Sequence, residues 1–147
     1  MTGRADLQMT LHGAIVLLLG YLCGIPLEVG TTQNWGNADI HFWRVAHSGL
    51  VVGGVWSIAT GAVVRHLSLS GRSISTLAWS VALANYGFLV NGFARAAAGG
   101  SDGAGVSLNW LVLSTFALAS LASLLAAGLT IVGAFLTLRA QPVRNGT

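Results

Sequence analysis

Four long apolar runs, interrupted by few polar side chains, dominate this chain of 147 residues. A helix that crosses a bilayer needs about 20 mostly apolar residues. Segments 7–27, 41–67, 74–97 and 108–138 each reach that length. The last is long enough to tilt or to extend beyond the bilayer. Only 7% of the residues are charged, whereas a soluble domain averages about 25%. Seven arginines and four acids cannot wet the surface of a globule this large. The spacing therefore predicts an all-α, integral membrane four-helix bundle, one domain over residues 1–147.

The polar pieces between the runs set the topology. Residues 28–39, EVGTTQNWGNAD, read as a loop rich in turn formers. SLSGRS, 68–73, reads as a short turn, and AGGSDGAGVS, 98–107, as a flexible connection. The last helix is expected to stop at the proline of QPVRNGT. The first run is too long for a cleavable leader and lacks a small-residue cleavage site. Arg4, Arg65, Arg72, Arg139 and Arg144 fall on one side of such an arrangement. Arg44 and Arg95 fall on the other, together with Glu28, Asp39 and Asp102. The side richer in arginine is expected to be cytoplasmic, which places both termini there.

A net charge of +3 invites a nucleic-acid reading, but the arginines are scattered singly and form no basic stripe. The single cysteine, Cys23, allows no intrachain disulfide and reads as a small buried hydrophobe. The ladder Gly49, Gly53, Ser57 and Gly61 on the second helix lets backbones approach closely in lipid. Ser123 and Ala127, with Ser120 and Gly128 nearby, offer a second such face on the fourth helix.

Polar side chains at membrane depth are costly and mark candidate sites. His41 and His66 lie at the ends of the second run and read as interfacial. His12 and His47 lie within spans. At about 1.5 Å per residue their heights differ by roughly 12–18 Å, so one iron cannot hold both within a chain. A hydrogen bond to a neighbouring helix accounts for His12. His47 has Trp43 and Arg44 one turn outward and Ser48 beside it. Asn91 and Arg95, four residues apart on the third helix, share a face at comparable depth, with Asn85 and Tyr86 deeper. Two readings fit: a structural polar cluster, or a haem with imidazole on iron and arginine on propionate. No paired carboxylates, zinc-type Cys/His cluster or phosphate loop competes.

Three short stretches resemble a known family. WRVAHSG (43–49), MTLHG (9–13) and ALANYGF (82–88) are similar to stretches of bacterial styrene oxide isomerases, in the same order and with similar separations. The resemblance implies a homotrimer in the bacterial inner membrane with ferric haem b between subunits, and His47 as the iron's protein ligand. It implies that a lipophilic aryl epoxide opens at the iron, that a hydride shifts to the neighbouring carbon, and that an aldehyde forms. Trp43, Arg44 and Asn85 are then expected around the cofactor, with Tyr86 and Asn91 as catalytic residues. Three positions depart from the family: Gly53 replaces an asparagine, Leu89 a tyrosine and Val81 an aspartate. The pocket is therefore expected to differ in shape and polarity, with Tyr86 and Asn91 standing in for the lost groups. A haem-binding membrane protein without isomerase activity is the alternative reading, and a cofactor-free scaffold the third.

Overall fold

The structure is a computed structural model that describes residues 2–97 and 106–140. It contains four α-helices: α1 (Thr2–Thr32), α2 (Asn37–Val64), α3 (Gly71–Ala97) and α4 (Val106–Ala140). All four are long and apolar enough to cross a membrane. Their outward faces carry large apolar side chains, such as Leu118, Leu121 and Leu124 of α4. Water would not tolerate so large an exposed apolar surface, whereas a lipid environment does.

The expected loop at 28–39 is much shorter than its composition suggests. α1 continues through Thr32, because the Thr31 and Thr32 hydroxyls donate to the Leu27 and Glu28 carbonyls at 2.7 and 3.0 Å. Polar residues that bond their own helix need no loop. Asn34 then takes a left-handed conformation, φ 54°, and ends the helix. The Trp35 amide returns to the Gly30 carbonyl at 2.9 Å, and its ring lies on Gly30 where a Cβ would clash. The second helix is shorter than expected at its other end. It stops at Val64, and residues 65–70 make the turn. Thr137 of α4 holds that turn by accepting from the Ser68 amide at 2.8 Å. Most of the 98–107 connection and the tail after Ala140 lie outside the described residues, as do Asp102 and Arg144.

The helices form two close pairs. α1 lies along α2, and α3 along α4, while α3 makes lesser contacts to α1 and α2. The α1–α2 pair meets almost backbone to backbone. A Cβ on Gly54 would stand 2.7 Å from the Leu17 amide nitrogen, and one on Gly13 would stand 2.9 Å from the Gly54 carbonyl oxygen. The buried Ser57 hydroxyl donates to the Met9 carbonyl at 3.0 Å. α3 and α4 meet where Gly87 faces Ala119. Small residues allow these approaches, which substitute in lipid for a hydrophobic driving force.

Both expected small-residue ladders are redistributed. A four-residue step advances about 400°, so a ladder drifts about 40° per step around a helix. Ser57 and Gly61 therefore face α1, whereas Gly49 faces open space and Gly53 faces Asn85. On α4 the buried face is Ala119, Ala122 and Ala126 rather than Ser123 and Ala127.

One apolar core sits toward the end of the bundle where α1 begins and α4 ends. Ala5, Met9, Val64, Ile74, Leu77, Val81 and Ala126 pack there from all four helices. A second, smaller core lies farther along, where Val16, Cys23 and Leu50 pack against Leu19, Trp43, Tyr86 and Leu89. Cys23 is thus a packing residue. Beyond the first core α2, α3 and α4 enclose an apolar cavity.

Candidate functional site

His47 turns its ring toward α1. Its Nδ1 lies 2.8 Å from the Gly20 carbonyl oxygen. A carbonyl only accepts, so Nδ1 carries the hydrogen and donates. In the neutral ring, Nε2 then keeps the lone pair. Nε2 makes no hydrogen bond among the described residues. Histidines that bind metal commonly have this arrangement, with the second nitrogen donating to a backbone carbonyl. Gly24 makes room for the ring. A Cβ there would stand 3.1 Å from Nδ1 and 3.3 Å from Cε1. The sequence thus brings Gly20 and Gly24, one turn apart on α1, to the histidine in two different ways.

His12 answers to a separate partner. Its Nδ1 and the Tyr86 hydroxyl are 2.9 Å apart, with the rings edge to face. His47 reaches α1 at Gly20, eight residues beyond His12, or roughly 12 Å along the helix. The two histidines are therefore at different heights, and His12 ties α1 to α3.

The cavity lies on another face of α2. It has a volume of about 500 Å³ and is lined mainly by apolar side chains. α2 contributes Val45, Gly49 and Gly53; α3 contributes Asn85, Phe88, Asn91 and Arg95; α4 contributes Phe116 and Ser123. At about 100° per residue, His47 is turned roughly 100–160° around α2 from Ala46, Gly49 and Gly53. The histidine and the cavity thus share a helix but look in different directions.

The other expected site residues divide between these two places. Trp43 is half-buried, packs edge to face on Phe42 and belongs to the second core. Arg44 is exposed one turn before His47. Asn85, expected near the cofactor, lines the cavity and faces Gly53, while the His47 ring packs on α1. Tyr86 sits beside Leu89, but its hydroxyl is engaged by His12. Asn91 lines the cavity, and its amide donates to the Val112 carbonyl of α4 and, at 3.4 Å, to the Thr115 hydroxyl. The Ser48 hydroxyl donates to the Arg44 carbonyl of its own helix at 2.8 Å.

Two features escaped the sequence reading. Gly20 and Gly24 set the state and place of the His47 ring, yet in the sequence they are two glycines of an apolar run. Asn85 Nδ2 is buried without a hydrogen-bond partner. Only the facing of Asn85 toward Gly53 reveals this. Among the described residues, no three His, Cys, Asp or Glu side chains converge to form a metal site. A single imidazole with a free Nε2 suits a prosthetic group that brings its own remaining ligands.

No curated protein and no solved structure matches the chain significantly. The model of one family, described as styrene oxide isomerase, matches residues 5–135, from the first turn of α1 almost to the end of α4. That range contains His12, His47, Asn85 and both helix pairs. The chain is therefore a member of the styrene oxide isomerase family.

Proposed function

We propose that this protein is a haem-dependent epoxide isomerase of the bacterial inner membrane, with both termini in the cytoplasm. It converts an apolar aryl epoxide into the isomeric aldehyde. The epoxide C–O bond breaks, a hydride moves to the neighbouring carbon, and a carbonyl forms, so no atom or electron is gained or lost. The observation that carries this reading is the fixed tautomer of His47. Its Nδ1 donates to Gly20, which leaves Nε2 for iron. Family membership supplies the class of reaction.

His47 would hold the haem iron, Trp43 would pack beside the macrocycle, and Arg44 would pair with a propionate. When bound, ferric haem supplies an open Lewis-acid position for the epoxide oxygen. The chain itself supplies a dry site. Phe88 and Phe116 wall the cavity with hydrocarbon, which keeps water from trapping an opened epoxide as a diol. The lipid-facing helices give a lipophilic epoxide a route that avoids water. Asn91, anchored to α4, shapes the polar edge of the cavity. Tyr86, tied to His12, holds α3 in register with α1.

His47 and the cavity lie on different faces of α2, so one copy does not bring its own histidine to its own cavity. This supports an assembly in which the His47 site of one subunit adjoins the cavity of the next, in our reading a homotrimer.

The test is turnover by haem-loaded protein in lipid vesicles given styrene oxide, with products separated by gas chromatography. Phenylacetaldehyde formed without any added electron donor is the expected product. Unchanged epoxide, or diol alone, from fully haem-loaded protein would overturn the reading.

A further inference from the structure

An open recess along the first turns of α3 lies apart from both His47 and the cavity. Arg72, Ser75, Thr76, Trp79, Ser80 and Leu83 line it. Their spacing of three and four residues puts them on one side of the helix.

The hydroxyls of this face are turned outward. Inside a helix a serine or threonine hydroxyl commonly bonds the carbonyl of the preceding turn, as Thr60, Thr115 and Thr130 do. Ser75, Thr76 and Ser80 make no such bond, nor any other among the described residues. The helix start itself is already capped: the Ser70 hydroxyl accepts from the Ser73 amide at 3.2 Å. Ser80 lies seven residues before Gly87, which faces Ala119, and so stands at the α3–α4 seam. It is 6% exposed and unpartnered, yet its Oγ is not wholly enclosed. That oxygen opens on the recess it lines. A hydroxyl buried in a membrane protein without a partner is costly, and a ligand acceptor would remove the cost.

The order of groups along α3 states the chemistry of the ligand. A guanidinium comes first, then two hydroxyls, then Trp79 beside a third hydroxyl, then Leu83. Trp79 is 67% exposed, and tryptophan favours the level of lipid headgroups. Ser80 is one turn, about 6 Å, below Thr76. A phospholipid repeats this order: phosphate, then ester carbonyls just below it, then hydrocarbon. Arg72 is the only charged residue lining the recess, and no acid lines it. A zwitterionic headgroup would bring its own cation to that arginine, whereas an anionic one would not. A free phosphate would leave Trp79 and Leu83 without a role.

We propose that this face of α3 binds one anionic phospholipid, with Arg72 on its phosphate, the Ser75 and Thr76 hydroxyls beside it, and the Ser80 hydroxyl donating to an ester carbonyl. The site holds whether or not the chain isomerises epoxides.

Lipid retention tests it. The full chain, immobilised in detergent, is equilibrated with mixed micelles carrying phosphatidylglycerol or phosphatidylcholine and washed briefly. Retained lipid is then measured by mass spectrometry. The ratio of the two lipids cancels their partition into micelles. Wild type should prefer phosphatidylglycerol. Arg72→Gln should lower that preference about fivefold, the effect of one arginine at an anionic membrane surface. Arg72→Lys should keep most of it. Both lipids carry ester carbonyls, so Ser80→Ala should lower retention of each about threefold and leave the preference unchanged. Arg139→Gln is the control, because Arg139 lies near the same end of the bundle, over the Phe135 ring at 4.4 Å. That variant should bind as wild type does.

Equal retention of the two lipids by wild type, a preference unchanged in Arg72→Gln, or retention unchanged in Ser80→Ala would overturn the proposal. So would an equal loss in Arg139→Gln, which would make the effect one of general surface charge. Displacement of the lipid by inorganic phosphate at matched ionic strength would also overturn it, in favour of a free-ion site. An oligomer that retains no lipid and dissociates in Arg72→Gln would overturn it in favour of a second copy on this face.

Discussion

The α1–α2 contact yields a sharp prediction from the glycine at its centre. In Gly20→Ala, the new Cβ would stand 2.8 Å from the Val51 amide nitrogen and 3.1 Å from the Leu50 carbonyl carbon. Both are backbone atoms, so no side chain can rotate to relieve the contact. Non-bonded heavy atoms settle near 3.5 Å. The helices must therefore separate by about 0.7 Å. Overpacking of this kind costs about 1–3 kcal/mol. The same shift stretches the His47–Gly20 bond from 2.8 Å toward the limit of hydrogen bonding. Losing it adds about 1 kcal/mol and frees the ring to change tautomer. The matched control is Gly49→Ala on the cavity side of α2, where a Cβ meets nothing within 4 Å. That change should leave stability equal or raised by up to about 1 kcal/mol, the helix preference of alanine over glycine. Unfolding of the two variants in mixed micelles by a denaturing detergent measures the difference, and the haem content of each reports on His47. Equal stability of Gly20→Ala and wild type would refute the packing argument. So would a loss in Gly49→Ala as large as that in Gly20→Ala.

Other expectations follow from single contacts. Tyr86→Phe removes the hydroxyl on His12 and should cost about 0.6 kcal/mol, a typical value for an interhelical bond in a membrane protein, readable by the same unfolding assay. It should lower turnover through α3 position while leaving haem content intact; unchanged stability and turnover would show that the pair is idle. Asn85→Leu should stabilise the protein by about 1 kcal/mol or more by removing an unmet donor, and destabilisation would show that the amide has a partner in the membrane. Cys23→Ala should leave haem content and turnover unchanged, since the thiol only fills the second core, and a large loss of turnover would contradict that role. Alkaline phosphatase fused to either terminus should be inactive in cells, and activity there would reverse the proposed orientation.

The fold was largely legible, because spans of about 20 apolar residues leave the chain few options in lipid. Helix ends were less so. Thr31 and Thr32 look like loop formers, but their hydroxyls bond the preceding turn and extend α1 by five residues past the expected Leu27. Glycine ladders misled for a geometric reason. A step of four residues does not stay on one face, so Gly49 and Gly53 face the cavity side of α2 while Ser57 and Gly61 meet α1. At the site, His47 stood out because a histidine amid apolar residues needs a reason. His12 found the helix partner expected of it, in Tyr86. The roles of Gly20 and Gly24 depend on which face of α1 meets α2, which periodicity cannot supply in a helix apolar all round. The free donor of Asn85 is likewise a property of the pair with Gly53, residues 32 positions apart.

The central claim is that His47 presents Nε2 to a haem iron. An absorption spectrum of haem-supplied, detergent-purified protein before and after dithionite tests it most directly, with His47→Ala alongside. The account predicts a ferric Soret band that shifts on reduction in the wild type and is lost in His47→Ala, although that variant still inserts as a folded helical protein. A Soret band retained by His47→Ala, or absent from the wild type, would contradict it.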